Sequence, residues 1–259
     1  LIFMKIFNKK KFTKKISFSI ITPVLNDCRI EKNINSLKRQ TYKNFEHIII
    51  DGGSKEEVIK ILKKNKTKIH TIISEKDRGI YDAINKGIKA SKGDIIGILN
   101  ADDFYYNKSL SIVKKYFDKY PIDFFFGSVM KDRLHHNYWP NKIWWKFNVF
   151  PSHSCGFFIK RNIHNKLGFY NTKFKYSSDR DFIFKLIRRK FKGMCGRKYE
   201  ILGKFDPGGI SSRIGFFNNI KEEFRIRINN NQSIFFLIPL FVATTLLKLF
   251  YSIFKLNIK

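Results

Sequence analysis

The sequence predicts an α/β domain in which a mostly parallel sheet is sandwiched by helices. Two observations carry that reading. Short apolar runs alternate with segments whose apolar residues recur at helical spacing, the pattern of βαβ units. Polar clusters rich in Asp, Asn and Gly stand directly after the apolar runs, where open α/β sheets place their ligands.

The run FSIITPV, Phe18 to Val24, reads as a buried strand, and Asn26 or Asp27 can cap the helix after it. That helix presents Ile30, Ile34 and Leu37 inward. Phe45 to Ile50 forms a second strand, stopped by Asp51-Gly52-Gly53-Ser54, and a helix with Val58, Ile61 and Leu62 inward follows. A third strand, Lys68 to Ser74, leads into Glu75-Lys76-Asp77-Arg78-Gly79. The next helix carries Ile80, Ile84 and Ile88 on one face and stops near Gly93. The fourth strand, Asp94 to Leu99, runs into Asn100-Ala101-Asp102-Asp103.

Beyond Asp103 the pattern loosens. A helix over Leu110 to Tyr120, a strand over Ile122 to Val129 and a second strand over Ser154 to Lys160 are predicted, with a Trp- and Phe-rich stretch at 138–150. A helix opens near Asp179. Residues 17–215 read as one domain, between a basic segment at 1–16 and a basic, amphipathic segment at 216–259.

The chain has 259 residues, of which 43% are hydrophobic, so wholesale disorder is excluded. Its net charge of +30 suits nucleic acid, an anionic membrane surface or phosphorylated substrates, and a solvated basic surface accounts for it equally well. Cys28, Cys155 and Cys195 are widely spaced and form no CxxC pair, so reduced thiols in a cytoplasmic protein are expected. The amino end places its lysines after a short apolar start, the wrong order for a secretory signal. From Ser233 to Phe254 only Lys248 is charged, long enough for the ~20 residues of a membrane span. Pro239 interrupts it, and Thr244, Lys248, Ser252, Lys255 and Lys259 share a face, which favours a helix lying in the membrane interface.

Adjacent acids at the end of an apolar strand are costly to bury unpaired. A divalent cation would justify Asp102 and Asp103, since Mg²⁺ and Mn²⁺ take one or two carboxylates plus phosphate oxygens. The competing reading makes them caps for a helix starting near Asn107. Asp51, with glycines beside it, can accept from a base or ribose, or merely close a strand-to-helix turn. Asp77 and Arg78 offer a carboxylate and a phosphate-competent guanidinium, or a local surface ion pair.

The ordered series SIITPVLN, IIIDGGS, SEKDRGIYDAINKGI and GDIIGILNADD resembles the amino-terminal half of family 2 glycosyltransferases, which have the GT-A fold. The resemblance covers roughly residues 17–104 and extends more weakly to about residue 212. It implies a nucleoside-diphosphate-sugar donor, with Asp51 contacting the base near Pro23. It makes Asn100-Ala101-Asp102 the DxD-type motif, with Asp102 on the Mn²⁺ or Mg²⁺ ion that bridges the diphosphate. Asn100 departs from the usual first Asp; its amide can reach the ribose, with Asp103 as a supporting acid. The family's Glu-Asp pair falls on Ser178-Asp179, which implies Asp179 as the catalytic base, with Asp181 as second choice. His153 is a candidate contact to donor or acceptor, and Arg213 a candidate to offset diphosphate charge. With an external base, inversion at the sugar is expected.

The expected activity is sugar transfer to an acceptor hydroxyl, in cell-surface polysaccharide or lipid-linked glycan synthesis on the inner face of the cell membrane. The rivals are a basic nucleic-acid-binding protein, for which no binding motif is present, and an inactive membrane-associated scaffold.

Overall fold

The computed structural model describes residues 15–144, 153–206 and 215–253. The chain opens with β1 (Phe18–Val24), buried over its whole length, then α1 (Ile30–Lys38), β2 (Phe45–Asp51) and α2 (Glu56–Lys64). After a 3₁₀ turn at Lys66–Lys68 come β3 (Thr71–Ser74), α3 (Ile80–Ala90) and β4 (Ile95–Ile98). Next are β5 (Phe104–Tyr105), α4 (Ser109–Lys119), β6 (Phe124–Phe126), β7 (Ser128–Met130) and β8 (Leu134–His135). The chain continues with β9 (Phe157–Lys160), α5 (Asn162–Leu167), α6 (Ser178–Arg188), β10 (Gly193–Cys195) and β11 (Ile201–Lys204). Two helices, α7 (Phe216–Asn229) and α8 (Ile234–Ile253), follow.

The main sheet has seven strands in the order β10-β6-β9-β4-β1-β2-β3. β1 is parallel to β2 and β4, β2 is parallel to β3, and β9 is the antiparallel insertion between β4 and β6. Successive side chains on a strand point to opposite faces, so one strand serves two helical layers. Ile48 and Ile50 pack in one core with Ile84 and Ile88 of α3 and Phe182 and Ile183 of α6. Ile49, between them, packs with Ile30 and Ile34 of α1 and Val58 and Leu62 of α2. Helices therefore cover both faces, as the sequence predicts.

The parallel register sets Val24 opposite Asp51, and Asp51 opposite Ser74. β1, β2, β3 and β4 thus discharge their following loops on a single rim. A second sheet, β5-β11-β7-β8, stands beside it and shares a core in which Phe158 meets Tyr105, Val129 and Leu202.

Several local expectations are corrected. The strand predicted over Ile122 to Val129 is two strands in different sheets, split at Gly127, where a Cβ would stand 2.1 Å from Leu202 Cδ1. Asp102 and Asp103 cap no helix: β5 intervenes, and α4 starts at Ser109 without a side-chain cap. Asp27 does not cap α1; its Oδ1 accepts from Arg29 N–H, and Arg29 holds the cap position.

At the carboxyl end, α7 meets α6 where Arg180 Nη1 donates to Asn219 Oδ1 at 2.6 Å, and within α7 the buried Arg227 Nε donates to Glu223 Oε1 at 3.0 Å. In α8, Leu237 is buried and Phe241 meets Phe224 of α7 edge-on, while Phe235, Ile238, Val242 and Leu246 are exposed. Among the described residues no helix is long and apolar enough to cross a membrane, which removes the spanning alternative there.

Candidate active site

A cleft of ≈570 Å³ opens on the rim where β1 and β4 end, a size that suits a small-molecule ligand. Pro23 ends one wall, and Asn100, Asp102 and Asp103 form the floor. Asp77 lines it from the loop after β3, Tyr81 from α3 and Asp179 from α6, and His153, Phe205 and Asp206 close it from the side of the small sheet.

The floor is held from below. Asn33 of α1 is fully buried, and its Nδ2 donates to the carbonyls of Asn100 at 2.8 Å and of Leu99 and Asp103 at 3.3 Å. The Asn100 amide donates to Asp103 Oδ2 and Ser154 Oγ, both at 3.2 Å, leaving Oδ1 as its remaining polar atom. Burial pushes the Asp102 carboxyl above the ordinary range; Arg29 opposes the shift, and Asp27 and Asp206 add to it. Asp103 is pushed well up, first by burial and then by Asp102.

His153 lies flat on Phe205, with ring centroids 4.1 Å apart. Its Nδ1 accepts from Cys155 N–H at 3.4 Å. Burial, with Lys131 and His135 nearby, pulls its pKa down to about 4, so the 3.5 Å contact to Asp103 involves a neutral ring at pH 7.

On the opposite wall, Tyr81 OH lies 3.0 Å from Asp179 Oδ1 and equally 3.0 Å from the carbonyl of Tyr176. Burial raises Asp179, while Arg180 and the Tyr81 hydroxyl draw it back. A carboxylate with a raised pKa at a cleft wall suits proton abstraction. Asp77 is held by Gly79 N–H, which reaches its Oδ1 at 2.9 Å. Gly79 itself sits at φ +121°, a conformation that favours glycine.

Of the residues singled out by sequence, Pro23, Asp77, Asn100, Asp102, Asp103, His153 and Asp179 converge on this cleft. Asp51 does not reach it. Its Oδ1 accepts from Ser54 N–H at 3.0 Å and its Oδ2 from Ser74 Oγ at 2.5 Å, a buried loop clasp. Arg78 is also displaced: its side chain is 87% exposed and pairs with Asp82 at 3.7 Å. Asp181 faces the other way, bound by Lys185 Nζ at 2.5 Å and Asn230 Nδ2 at 2.8 Å. Arg213 lies outside the described residues. Sequence reasoning missed Asn33, Arg29 and Tyr81; the last stands in the quoted GIYDAINKGI run, one residue past the stripe position Ile80.

Among the described residues no group of three or more His, Cys, Asp or Glu side chains can hold a metal by itself. The donor set still fits a divalent ion of the kind that takes one or two carboxylates and completes its shell with phosphate oxygens and water. Asp102 and Asp206 are hard oxygen ligands, and the charge of Asp206 adds to the upward push on the Asp102 carboxyl, a repulsion a cation relieves.

A cleft at the carboxyl ends of parallel strands, floored by acids, is the kind of site at which open α/β enzymes take small-molecule ligands. The glycosyl transferase family 2 model matches residues 19–202 of this chain, so the chain belongs to that family. It is 32% identical over 186 residues to an uncharacterised glycosyltransferase of Rickettsia typhi, covering 66% of this chain and 58% of that one. A PGL/p-HBAD biosynthesis glycosyltransferase of Mycobacterium tuberculosis is 30% identical over 173 residues, covering 64% of this chain and 67% of its own. The chain thus spans 58% of the length of the rickettsial relative. In fold it is similar to S. aureus TarS 1-349 in complex with UDP-GlcNAc, with a TM-score of 0.65, 15% identity and coverage of 84% and 68% of the two chains. It is equally similar to the mannosyltransferase PcManGT of Pyrobaculum calidifontis in complex with GDP-Man and Mn²⁺, with a TM-score of 0.65, 17% identity and coverage of 90% and 70%. These neighbours are GT-A-like glycosyltransferases, and the mixed α/β fold agrees with theirs.

Proposed function

We propose that this enzyme transfers a sugar from a nucleoside diphosphate to an acceptor hydroxyl with inversion, using a divalent cation. The observation that carries the reading is that Asp102 and Asp179, on β4 and α6 sides, line one cleft. Asp102 is the residue that would hold Mn²⁺ or Mg²⁺, with Asp103 and Asp206 beside it. Bound there, the ion would offset the charge of the departing diphosphate.

The chain's own groups do the rest. Asp77 and Pro23 position the nucleoside, and the Asn100 Oδ1 accepts from a donor hydroxyl. Lys131, which also lines the cleft, adds positive charge for the phosphates. Asp179 accepts the proton of the acceptor hydroxyl as its oxygen bonds to the anomeric carbon. The bond from that carbon to the diphosphate breaks, and the nucleoside diphosphate leaves. The solved neighbours bind UDP-GlcNAc and GDP-Man, so UDP- and GDP-sugars are the first donors to try. Mn²⁺-dependent turnover of such a panel by wild type and Asp102→Ala tests the reading; equal turnover by both sinks the metal assignment.

The acceptor we infer is a glycan or lipid-linked glycan, reached by the enzyme while peripheral on the cytoplasmic face of an anionic membrane. Support comes from the exposed Phe235, Ile238, Val242 and Leu246 on α8, together with the +30 charge. Removal of residues 233–259 should abolish sedimentation with anionic vesicles; undiminished sedimentation overturns the attachment.

A further inference from the structure

Arg29 stands in the loop between β1 and α1 and belongs to none of the motifs above. It forks onto Asp27, with Nε 2.9 Å from Oδ1 and Nη2 2.6 Å from Oδ2. The same Nη2 is 3.6 Å from Asp102 Oδ2, and among the described residues this is the only ion pair that Asp102 makes. The contact to Asp102 is longer than a hydrogen bond, so it is purely electrostatic and can be surrendered without breaking one.

We propose that Arg29 is the resident counter-ion of Asp102, competing with a divalent cation for that carboxylate in the donor-free protein, and that Asp27 is the tether limiting the competition. The inference rests on the assignment of Asp102 as metal ligand. Its logic is charge. Asp27, Asp102, Asp103 and Asp206 crowd one end of the cleft, and Arg29 is the cation that stands 3.6 Å from the Asp102 carboxylate. A divalent ion bound at Asp102 would lie beside this guanidinium, and the two like charges repel.

An anion bridging both relieves that repulsion, and a nucleoside diphosphate is such an anion. Its phosphate oxygens can accept from the guanidinium edge that Asp27 leaves unused. Metal and diphosphate therefore bind cooperatively, and the free protein binds metal weakly. By linkage, each strengthens the other by the same factor. Asp27 sets the balance, because a guanidinium forked onto Asp27 cannot close on Asp102.

The test is titration of the metal-stripped protein with Mn²⁺ alone, and with Mn²⁺ in the presence of UDP and then GDP, read by calorimetry. Arg29→Gln removes the competitor, and its Mn²⁺ Kd without nucleotide should fall about tenfold, within the usual range of coupling between sites. Asp27→Asn releases the guanidinium toward Asp102, and the Mn²⁺ Kd should rise. The Asn side chain keeps an oxygen for the Arg29 N–H, and the circular-dichroism melt checks that both variants fold. In Arg29→Gln the strengthening of Mn²⁺ by nucleotide should shrink. Mn²⁺ binding no tighter in Arg29→Gln than in wild type overturns the inference alone, provided that Asp102→Ala loses it. An Asp27→Asn effect in the same direction as Arg29→Gln, or none, overturns the tether. If wild type binds no Mn²⁺ with or without either nucleotide, the metal assignment itself fails, and the inference with it.

Discussion

Tyr81→Phe isolates one hydroxyl at the proposed base. Tyr81 OH sits 3.0 Å from both Asp179 Oδ1 and the Tyr176 carbonyl, and a phenol has one proton to give. If the proton goes to Asp179, it stabilises the ionised carboxylate against a burial that otherwise raises it. A hydrogen bond to a charged group contributes roughly 1.5–3 kcal/mol. At about 1.4 kcal/mol per pKa unit, losing it should raise the Asp179 pKa by roughly one to two units. A base works only when ionised, so activity is lost as pH falls through its pKa. The acid limb of kcat/KM should therefore move to higher pH by about that amount, with the plateau largely recovered above it. Phe preserves the ring that stacks on Tyr170, 5.7 Å between centroids, so packing is a small part of the effect. The assay is the pH dependence of kcat/KM with a turned-over sugar nucleotide. A rate reduced equally at every pH, with an unmoved acid limb, would refute the reasoning and assign the proton to Tyr176.

Three further outcomes follow from the same geometry. Asp179→Asn should lower kcat by about 10²–10⁴-fold while nucleotide still raises the melting temperature; Asp181→Asn, whose carboxylate is buried against Lys185 and Asn230, should instead destabilise by about 1–3 kcal/mol in urea with kcat retained. At Gly52 an added Cβ would stand 2.3 Å from Asp77 Oδ2, so Gly52→Ala should push Asp77 from its place and raise the donor KM more than it lowers kcat. Asp103 has a raised pKa in the fold, so it takes up protons on folding; its contribution is favourable at low pH and lost as pH rises from the ordinary carboxyl value through the raised one. Without metal, the melting-temperature gap between Asp103→Asn and wild type should therefore move in favour of the variant as pH rises from about 4 to 7.

The first half of the fold was legible because its information is local. An apolar run, a turn of Gly and Asp and a helical stripe each fit within a dozen residues, and the parallel register then follows from the βαβ connection. The four polar clusters had to meet once Val24, Asp51 and Ser74 were neighbours on one edge. Asn33 shows where this fails. It looks like one polar residue on an amphipathic helix, yet it is fully buried and holds the carbonyls of Leu99, Asn100 and Asp103. Nothing within α1 signals a partner more than sixty residues away. The small sheet was missed for the same reason: β5, β7 and β11 are two to four residues long, and only their pairing makes them strands. Asp51 misleads in the opposite sense, because its motif position suggests a ligand while its two oxygens are taken by Ser54 and Ser74.

Asn100 is the departure whose meaning changes most on the structure. As a motif letter it is a missing metal ligand. In place, its amide is a donor between two oxygens, Asp103 Oδ2 and Ser154 Oγ. A carboxylate at this position could not donate to Asp103, whose carboxyl burial and Asp102 already push well up. It would add another negative charge to a floor that holds Asp102, Asp103 and Asp206 with Arg29 as counter-ion. The neutral amide thus stabilises Asp103 in its buried site and leaves Asp102 as the single carboxylate of the motif poised between Arg29 and a cation. On that account Asn100→Asp should weaken the free protein's fold near neutral pH, and any gain in Mn²⁺ affinity should come with a lower melting temperature in the absence of metal. A variant that bound Mn²⁺ more tightly and melted no lower would show that Asn100 bears no such electrostatic duty.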